Sequence, residues 1–194
     1  MKRIAVLGSG LLGGSIALAV QTYLSEVQVC LWGRREESIQ EAKDIGIIEA
    51  TTDIAEAVKA ADIVILASPV GAMLQIFQAA AAASSMTGVI VTDVGSVKLT
   101  PRETLKDIAS ETGALYIGSH PMAGSEQAGV GASVRDLFQG AACVVTNDFN
   151  HPDTSVEILS NMWKAIGCVC HMTSSEEHDR VMARISHLPH ALAS

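Results

Sequence analysis

Ile4-Ala5-Val6-Leu7-Gly8-Ser9-Gly10-Leu11-Leu12-Gly13 is the stretch on which the fold of this chain turns. Four consecutive apolar residues read as a strand buried on both faces, the habit of parallel sheets. A G-x-G-x-x-G pattern follows at once and opens a helix reaching about Thr22, whose Gly14, Ala17 and Ala19 permit close packing. In that context the three glycines do different things. Gly8 allows a tight turn, Gly10 allows close approach of a pyrophosphate, and Gly13 allows helix–strand contact. Leu11 and Leu12 enter the first helical turn, whose free N–H groups and positive dipole end attract phosphate. The segment predicts a dinucleotide-binding unit; a packing turn without a ligand is the plainer alternative.

Outward from it, short apolar runs alternate with helical stretches. Strands are expected over 4–7, 27–32, 63–67, 89–92, 115–117, 141–146 and 168–172. Helices are expected over 12–22, 36–44, 53–60 with Asp53 as cap, 70–84, one reaching Ser110 with Pro101 early in it, and 155–166. This alternation predicts an α/β fold, a Rossmann-type doubly wound and mainly parallel sheet, over residues 1–172. From Thr173 the texture changes. Thr173 as N-cap and Glu176 three residues on form a capping-box pattern. The helix they start would pass His178, Val181, Ile185 and Leu188, be interrupted by Pro189, and meet Ser194 with no stop signal. Residues 173–194 therefore read as the first helix of a truncated all-helical domain, and the apolar 185–193 segment is expected to associate or be covered.

The chain has 194 residues, 48% of them hydrophobic, and a formal charge of −8. Mean hydropathy is +0.32 and the pI is near 5.1. An acidic protein of this kind makes a poor general nucleic-acid surface, although a local pocket can still bind anions. Charges recur too often for a membrane span, and residues 1–7 are too short an apolar run for a secretion signal, so a cytoplasmic protein is expected. Cys30, Cys143, Cys168 and Cys170 form no Cys-x-x-Cys pair and read as small core residues in a reducing compartment; no metal is expected.

About twenty residues past the glycines, NAD-binding chains usually carry an acid for the ribose hydroxyls. Here Gly33-Arg34-Arg35 ends the second strand. A guanidinium at that place grips a 2′-phosphate, which favours NADP over NAD. The alternative makes both arginines solvated charges, with Glu36 or Glu37 at the ribose. Ser68, Pro69 and Val70 follow the strand over 63–67, where open α/β sheets bind ligands, and are candidate walls for the nicotinamide end.

His120 stands three residues beyond a strand, among Gly118, Pro121 and Gly124, and is read as lying on a close-fitting loop. An imidazole with an ordinary pKa of about 6.5 can take a hydroxyl proton while hydride leaves the same carbon. Ser96 is a candidate partner for that histidine or for the reacting hydroxyl. Lys98 supplies positive charge or a local ion pair. Ser125 and Glu126 follow closely enough to line the same pocket; a helix-N-terminal acid is the alternative for Glu126. His178, His187 and His190, nine and twelve residues apart, share a helical sector that suits anion binding better than metal. Structural packing is the competing reading for each of them, and for His151 and His171 nothing rises above it.

Three segments carry a resemblance to the prephenate/arogenate dehydrogenases of tyrosine biosynthesis. They are Gly8-x-Gly10-Leu11-Leu12-Gly13-Gly14-Ser15, Asp93-Val94-Gly95-Ser96-Val97-Lys98 and Gly118-Ser119-His120-Pro121-Met122-Ala123-Gly124-Ser125-Glu126. Leu137-Phe138, Trp163, His178-Asp179 and Ser186-His187-Leu188-Pro189-His190 fit in the same order. The resemblance implies NAD(P)-dependent oxidative decarboxylation of prephenate to 4-hydroxyphenylpyruvate. It makes His120 the proton acceptor, gives Ser96 an orienting role, and places Ser125, Glu126, His178 and His190 in the substrate pocket. It also implies a homodimer through a helical domain that supplies an arginine for a substrate carboxylate, with this chain stopping before that arginine. Three alternatives stay open. One is arogenate as substrate. Another is a 3-hydroxyacid-type dehydrogenase, whose acid/base is a lysine of the second domain. The last is an NAD(P)-sensing module that needs neither His120 nor Ser96.

Overall fold

Parallel pairing of the apolar runs builds the frame of the molecule, a computed structural model that describes residues 1–184. Strand β1 (Arg3–Leu7) sits mid-sheet, between β2 (Gln28–Trp32) and β4 (Ile63–Leu66). The six-stranded order is β3-β2-β1-β4-β5-β6, with β3 (Glu49–Thr51), β5 (Ile90–Asp93) and β6 (Leu115–Tyr116) completing it. All these pairs are parallel. Helices α1 (Leu11–Tyr23), α2 (Glu36–Asp44), α3 (Ile54–Val58), α4 (Val70–Ala83) and α5 (Leu99–Thr112) connect them.

Because β1 is covered on both faces, its alternate residues feed two cores. Ile4 and Val6 join Ile16 and Val20 of α1, Ile39 of α2 and, from α6 (Asp153–Ala165), Leu159 and Trp163. Ala5 and Leu7 join Val58 of α3, Phe77 of α4 and Leu105 of α5. This is the doubly wound arrangement expected from the sequence. Burial on both faces explains why the strands read as unbroken apolar runs. Strand order reverses between β1 and β4, which opens a crevice at their carboxyl ends.

Two features depart from the sequence reading. Strand β3 is an addition, invisible to hydropathy because its residues Glu-Ala-Thr carry no apolar run. The late strands do not extend the main sheet: β7 (Gly118–Pro121), β8 (Ala142–Thr146) and β9 (Val169–Thr173) form a separate three-stranded sheet. In it β7 runs antiparallel to β8, with His120 opposite Val144, and β8 runs parallel to β9. His120 is thus a strand residue and not a loop residue. Glycine and proline in 118–121 read as loop punctuation, but Pro121 lies at the end of an edge strand, where a missing N–H costs no ladder bond.

Helix α7 (Ser175–Met182) also starts one residue later than expected. Ser174 is its N-cap and accepts from the Glu177 N–H at 3.2 Å, while Glu176 pairs outward with Arg102. The expected continuation past Ile185 and Leu188, and the apolar 185–193 segment, lie outside the described residues. Among the described residues no helix is long and apolar enough to cross a membrane.

The turn between β1 and α1 depends on two glycines. Gly8 has φ +143°, and a Cβ there would meet the Ala67 carbonyl oxygen at 2.2 Å; a Cβ on Gly13 would meet the Gly8 carbonyl oxygen at 1.8 Å. Alanine in a helix interior is ordinarily better than glycine by about 1 kcal/mol. At Gly13 the clash is with backbone that cannot swing aside, so the steric term wins. Gly13→Ala is expected to lose about 1–3 kcal/mol of stability, read as a lower urea midpoint at unchanged slope.

Candidate active site

The crevice at the carboxyl ends of β1, β2 and β4 is a cleft of about 580 Å³ lined by Gly8, Gly10, Arg34, Arg35, Ser68 and Pro69, with Ser38 and Trp32 among the other walls. Helix α1 points its N-terminus into it. Gly10 is the N-cap, no side chain caps the helix, and its first turn holds no acid. A Cβ on Gly10 would meet nothing within 4 Å, so the space above it is open. The buried Ser68 Oγ has no hydrogen-bond partner among the described residues. Uncapped N–H groups, open space and an orphaned hydroxyl fit the pyrophosphate and nicotinamide parts of a dinucleotide.

At the far end of the cleft Arg34 and Arg35 are exposed and form no ion pair among the described residues. Glu36, the rival for the ribose, accepts from Thr52 Oγ1 at 2.8 Å, and Glu37 faces a different surface hollow. Ser38, which carries no motif of its own in the sequence, stands beside the arginines on the cleft wall. A second hollow of about 360 Å³ shares Gly10, Ser68 and Pro69 with the cleft and adds Leu11, Leu12 and Val94. Val70, expected as a wall, starts α4 and approaches Gly95; it borders neither hollow.

The end of β5 is organised by a buried charge pair. Asp93 and the Lys98 ammonium are both fully buried and in contact. The Lys98 ammonium also donates to the Ser119 carbonyl at 2.6 Å. Asp93 accepts further from Tyr116 Oη at 2.7 Å and from the Gly95 N–H at 2.8 Å. Burial pushes the Lys98 ammonium below its ordinary pKa, and the Asp93 carboxylate opposes that. The same burial, reinforced by the Asp93 charge, holds the Tyr116 phenol well above its usual range, so it is a neutral donor. Ser119 is fixed through its hydroxyl as well, which lies 2.8 Å from Thr92 Oγ1 and accepts from Trp163 Nε1 at 3.0 Å.

His120 follows Ser119 and is 8% exposed. Its Nδ1 lies 2.9 Å from Nε2 of His178, whose Nδ1 lies 2.7 Å from Oδ1 of Asp179. Asp179 in turn accepts from the backbone N–H groups of Lys98 at 2.7 Å and Leu99 at 3.0 Å, where α5 begins. Burial raises the Asp179 carboxyl, but the Leu99 N–H, His178 and the Lys98 N–H outweigh it and hold it below its ordinary value. Burial, then the charges of Lys98 and His178, push His120 down to about 4. His120 is therefore a neutral imidazole at neutral pH, and Nε2 is its ring nitrogen without a partner among the described residues.

Other candidates fall differently. Ser96 is exposed on the turn after β5 and makes no hydrogen bond to His120, whose Nδ1 is taken by His178. His178 is not an open pocket wall: its side chain is fully buried and both ring nitrogens face protein partners. Ser125 and Glu126 lie exposed on the segment after β7, where Ser125 Oγ accepts from the Gln127 N–H at 3.1 Å. His187 and His190 lie outside the described residues. Removing one partner of the buried pair strands the other charge. Lys98→Met is expected to cost about 3–5 kcal/mol in denaturant unfolding, whereas breaking the exposed pair Lys106–Glu103 should leave the denaturant midpoint unchanged.

Comparison with known proteins places this geometry in a family. Residues 16–172 match the family model described as prephenate dehydrogenase, nucleotide-binding domain. The chain is 37% identical over 193 residues to a cyclohexadienyl dehydrogenase of Zymomonas mobilis, covering 99% of this chain and 65% of that protein. It is 34% identical over 194 residues to a prephenate dehydrogenase of Lactococcus lactis, covering 100% of this chain and 52% of that one. The crystal structure of prephenate dehydrogenase from A. aeolicus in complex with hydroxyphenyl propionate and NAD+ superposes with a TM-score of 0.88 at 33% identity, over 100% of this chain and 67% of that one. The chain thus spans roughly half to two thirds of the length of the curated relatives named here. With its buried Asp93–Lys98 pair and its strand-borne His120 inside a match covering most of its length, the chain belongs to the prephenate dehydrogenase family.

Proposed function

We propose that the protein oxidises and decarboxylates a cyclohexadienol of the prephenate type, with His120 as the base and NADP as the preferred hydride acceptor. The observation that carries this reading is the uncapped, glycine-lined cleft at the carboxyl ends of the parallel strands, in a chain whose His120 keeps Nε2 without a partner among the described residues. A nicotinamide in the cleft supplies the hydride acceptor. His120 Nε2 takes the proton of the ring hydroxyl while the carbinol carbon gives up its hydride. The quaternary carbon opposite then releases its carboxylate as carbon dioxide, the electron pair left behind makes the ring aromatic, and the phenolate oxygen so formed takes up the proton that His120 had accepted. Aromatisation drives the step, so the chain has only to position the ring and hold a proton acceptor.

The preference for NADP rests on Arg34 and Arg35, unpaired among the described residues, with Ser38 beside them and no carboxylate on that stretch of the cleft wall. A charge-assisted hydrogen bond to phosphate contributes about 1.5–3 kcal/mol, or about 10- to 100-fold in affinity. NAD remains usable through the shared part of the cleft, as it is bound in the A. aeolicus enzyme.

Prephenate is the first substrate to test and arogenate the second, since the two differ only away from the reacting ring. In this reading residues 173–194 open a helical unit through which two copies of the complete protein associate, and Ser96, Ser125, Glu126 and His190 meet the substrate once that unit is in place.

The complete gene product is expected to reduce NADP with prephenate, and His120→Asn to lose about 100-fold or more in kcat. Absence of turnover with both prephenate and arogenate would sink the assignment. Joint replacement of Arg34 and Arg35 by alanine should lower kcat/KM for NADP about 10- to 100-fold and leave NAD unchanged. Because His120 must be neutral to act, its own protonation should abolish kcat/KM as pH falls through about 4. An acid limb near pH 6.5 that histidine NMR assigns to His120 itself would contradict the role given to burial.

A further inference from the structure

The proton acceptor does not stand alone. His120, His178 and Asp179 form a chain of two hydrogen bonds, 2.9 and 2.7 Å long, ending on a carboxylate that two backbone N–H groups hold in place. The chemistry of the last member fixes the others. An ionised carboxylate only accepts, so the His178 nitrogen facing Asp179 carries a hydrogen. When His178 carries that one ring hydrogen only, its lone pair lies on Nε2, the atom facing His120. His120 must therefore donate from Nδ1, and a neutral His120 keeps its lone pair on Nε2.

We propose that His178 and Asp179 are positioning residues that set the tautomer of His120, holding Nε2 unprotonated and ready to take the substrate's hydroxyl proton. The inference rests on His120 being the base. It assigns to His178 a role through His120, in place of contact with substrate. Its full burial, with both ring nitrogens occupied, argues for that role. The geometry also explains the placement of α7. Asp179 accepts the first N–H groups of α5, so the helix that brings the relay is anchored to the loop that carries Lys98. The charged and titratable groups facing His120 are Lys98 at the start of α5, Asp93 at the end of β5, and His178 and Asp179 on α7. Lys98 and Asp93 act on His120 in opposite senses and neither hydrogen-bonds a ring nitrogen of it, which leaves the tautomer to the relay.

Side-chain 15N NMR of the complete protein, labelled selectively at histidine, reads this directly at neutral pH. The wild type should show His120 protonated at Nδ1 and bare at Nε2. His178→Leu removes the acceptor, so His120 should shift toward the Nε2-protonated form and kcat should fall about 100-fold with KM within about threefold. His178→Gln puts an amide oxygen in reach of Nδ1 and should keep the tautomer and kcat within about tenfold of wild type. Asp179→Asn can keep its amide oxygen where one carboxylate oxygen accepts from both His178 and the Lys98 N–H, and should preserve the His120 tautomer with kcat within about tenfold of wild type. Three results would overturn the proposal: a wild-type His120 already protonated at Nε2, a His178→Leu protein with unchanged tautomer and kcat, or a rise in KM at constant kcat. If His178→Leu fails to fold, the wild-type spectrum and the Gln and Asn variants still decide. A protein with the expected spectrum but no turnover of either substrate would leave the relay standing and remove the dehydrogenase reading.

Discussion

The contact between Lys98 and Asp93 is the constraint around which the candidate site is arranged. Two opposite charges without solvent are costly unless each is satisfied in every direction. Here Asp93 takes hydrogen bonds from Lys98, Tyr116 and the Gly95 N–H, and Lys98 gives a second hydrogen to the Ser119 carbonyl. Such a pair adds little net stability over apolar residues of the same volume, so its value lies in geometry. It joins the carboxyl end of the parallel sheet to the first strand of the second sheet, one residue before His120. Trp163 and Thr92 pin the same serine from the other side through its hydroxyl. The backbone that carries the imidazole is thereby fixed from β5, α5 and α6 at once, which is the rigidity that general-base chemistry needs.

The same loop governs both ends of the site. It leaves β5 at the crevice edge, starts α5 at Leu99, and offers the N–H groups of Lys98 and Leu99 to Asp179. Helix α7, far along the chain, is held there by that carboxylate and by the Arg102–Glu176 pair on the surface. The exposed pair contributes little, whereas the Asp179 contacts are half-buried and directed at two orphan donors of a helix start. The His120–His178–Asp179 chain is thus tied to the buried frame of the fold, and the segment after β7, with Ser125 and Glu126, stays exposed.

Local signals are legible in the sequence, and long-range partners are not. The strand–glycine–helix opening can be read because all its parts lie within ten residues, and the steric demand of Gly13 against the Gly8 carbonyl follows from that proximity, whereas Gly8 answers to the distant Ala67 carbonyl. Asp53 is legible as a cap for the same reason, and its side chain does accept from the Ala55 N–H at 2.8 Å. His120 stands out by chemistry, but its strand does not, because Gly118 and Pro121 mimic loop punctuation and β8, its partner, lies more than twenty residues on. Helix α7 offers two capping patterns one residue apart, Thr173 with Glu176 and Ser174 with Glu177. Nothing local separates them; Arg102, some seventy residues upstream, claims Glu176 and leaves the second pattern to form. The motif around Ser96 points to that serine because a hydroxyl is a familiar partner for histidine, yet the fold gives the place to His178, 58 residues from His120.

A base held at about 4 is a weak one, and this bears on why the arrangement suits the proposed reaction. Proton-transfer catalysis is most efficient when the acceptor's pKa lies near the working pH. An acceptor held this low is fully available but pulls only modestly. Two features offset the weakness. The step ends in an aromatic ring, so little driving force is asked of the base. The substrate also carries two carboxylates, and negative charge brought near a histidine raises its pKa. His120 would therefore become a stronger base when substrate is present and revert when the product leaves. The proton it took then passes to the phenolate oxygen that aromatisation creates, which is a far stronger base than the imidazole. The burial that weakens His120 as an acceptor thereby favours return of the proton to the product oxygen.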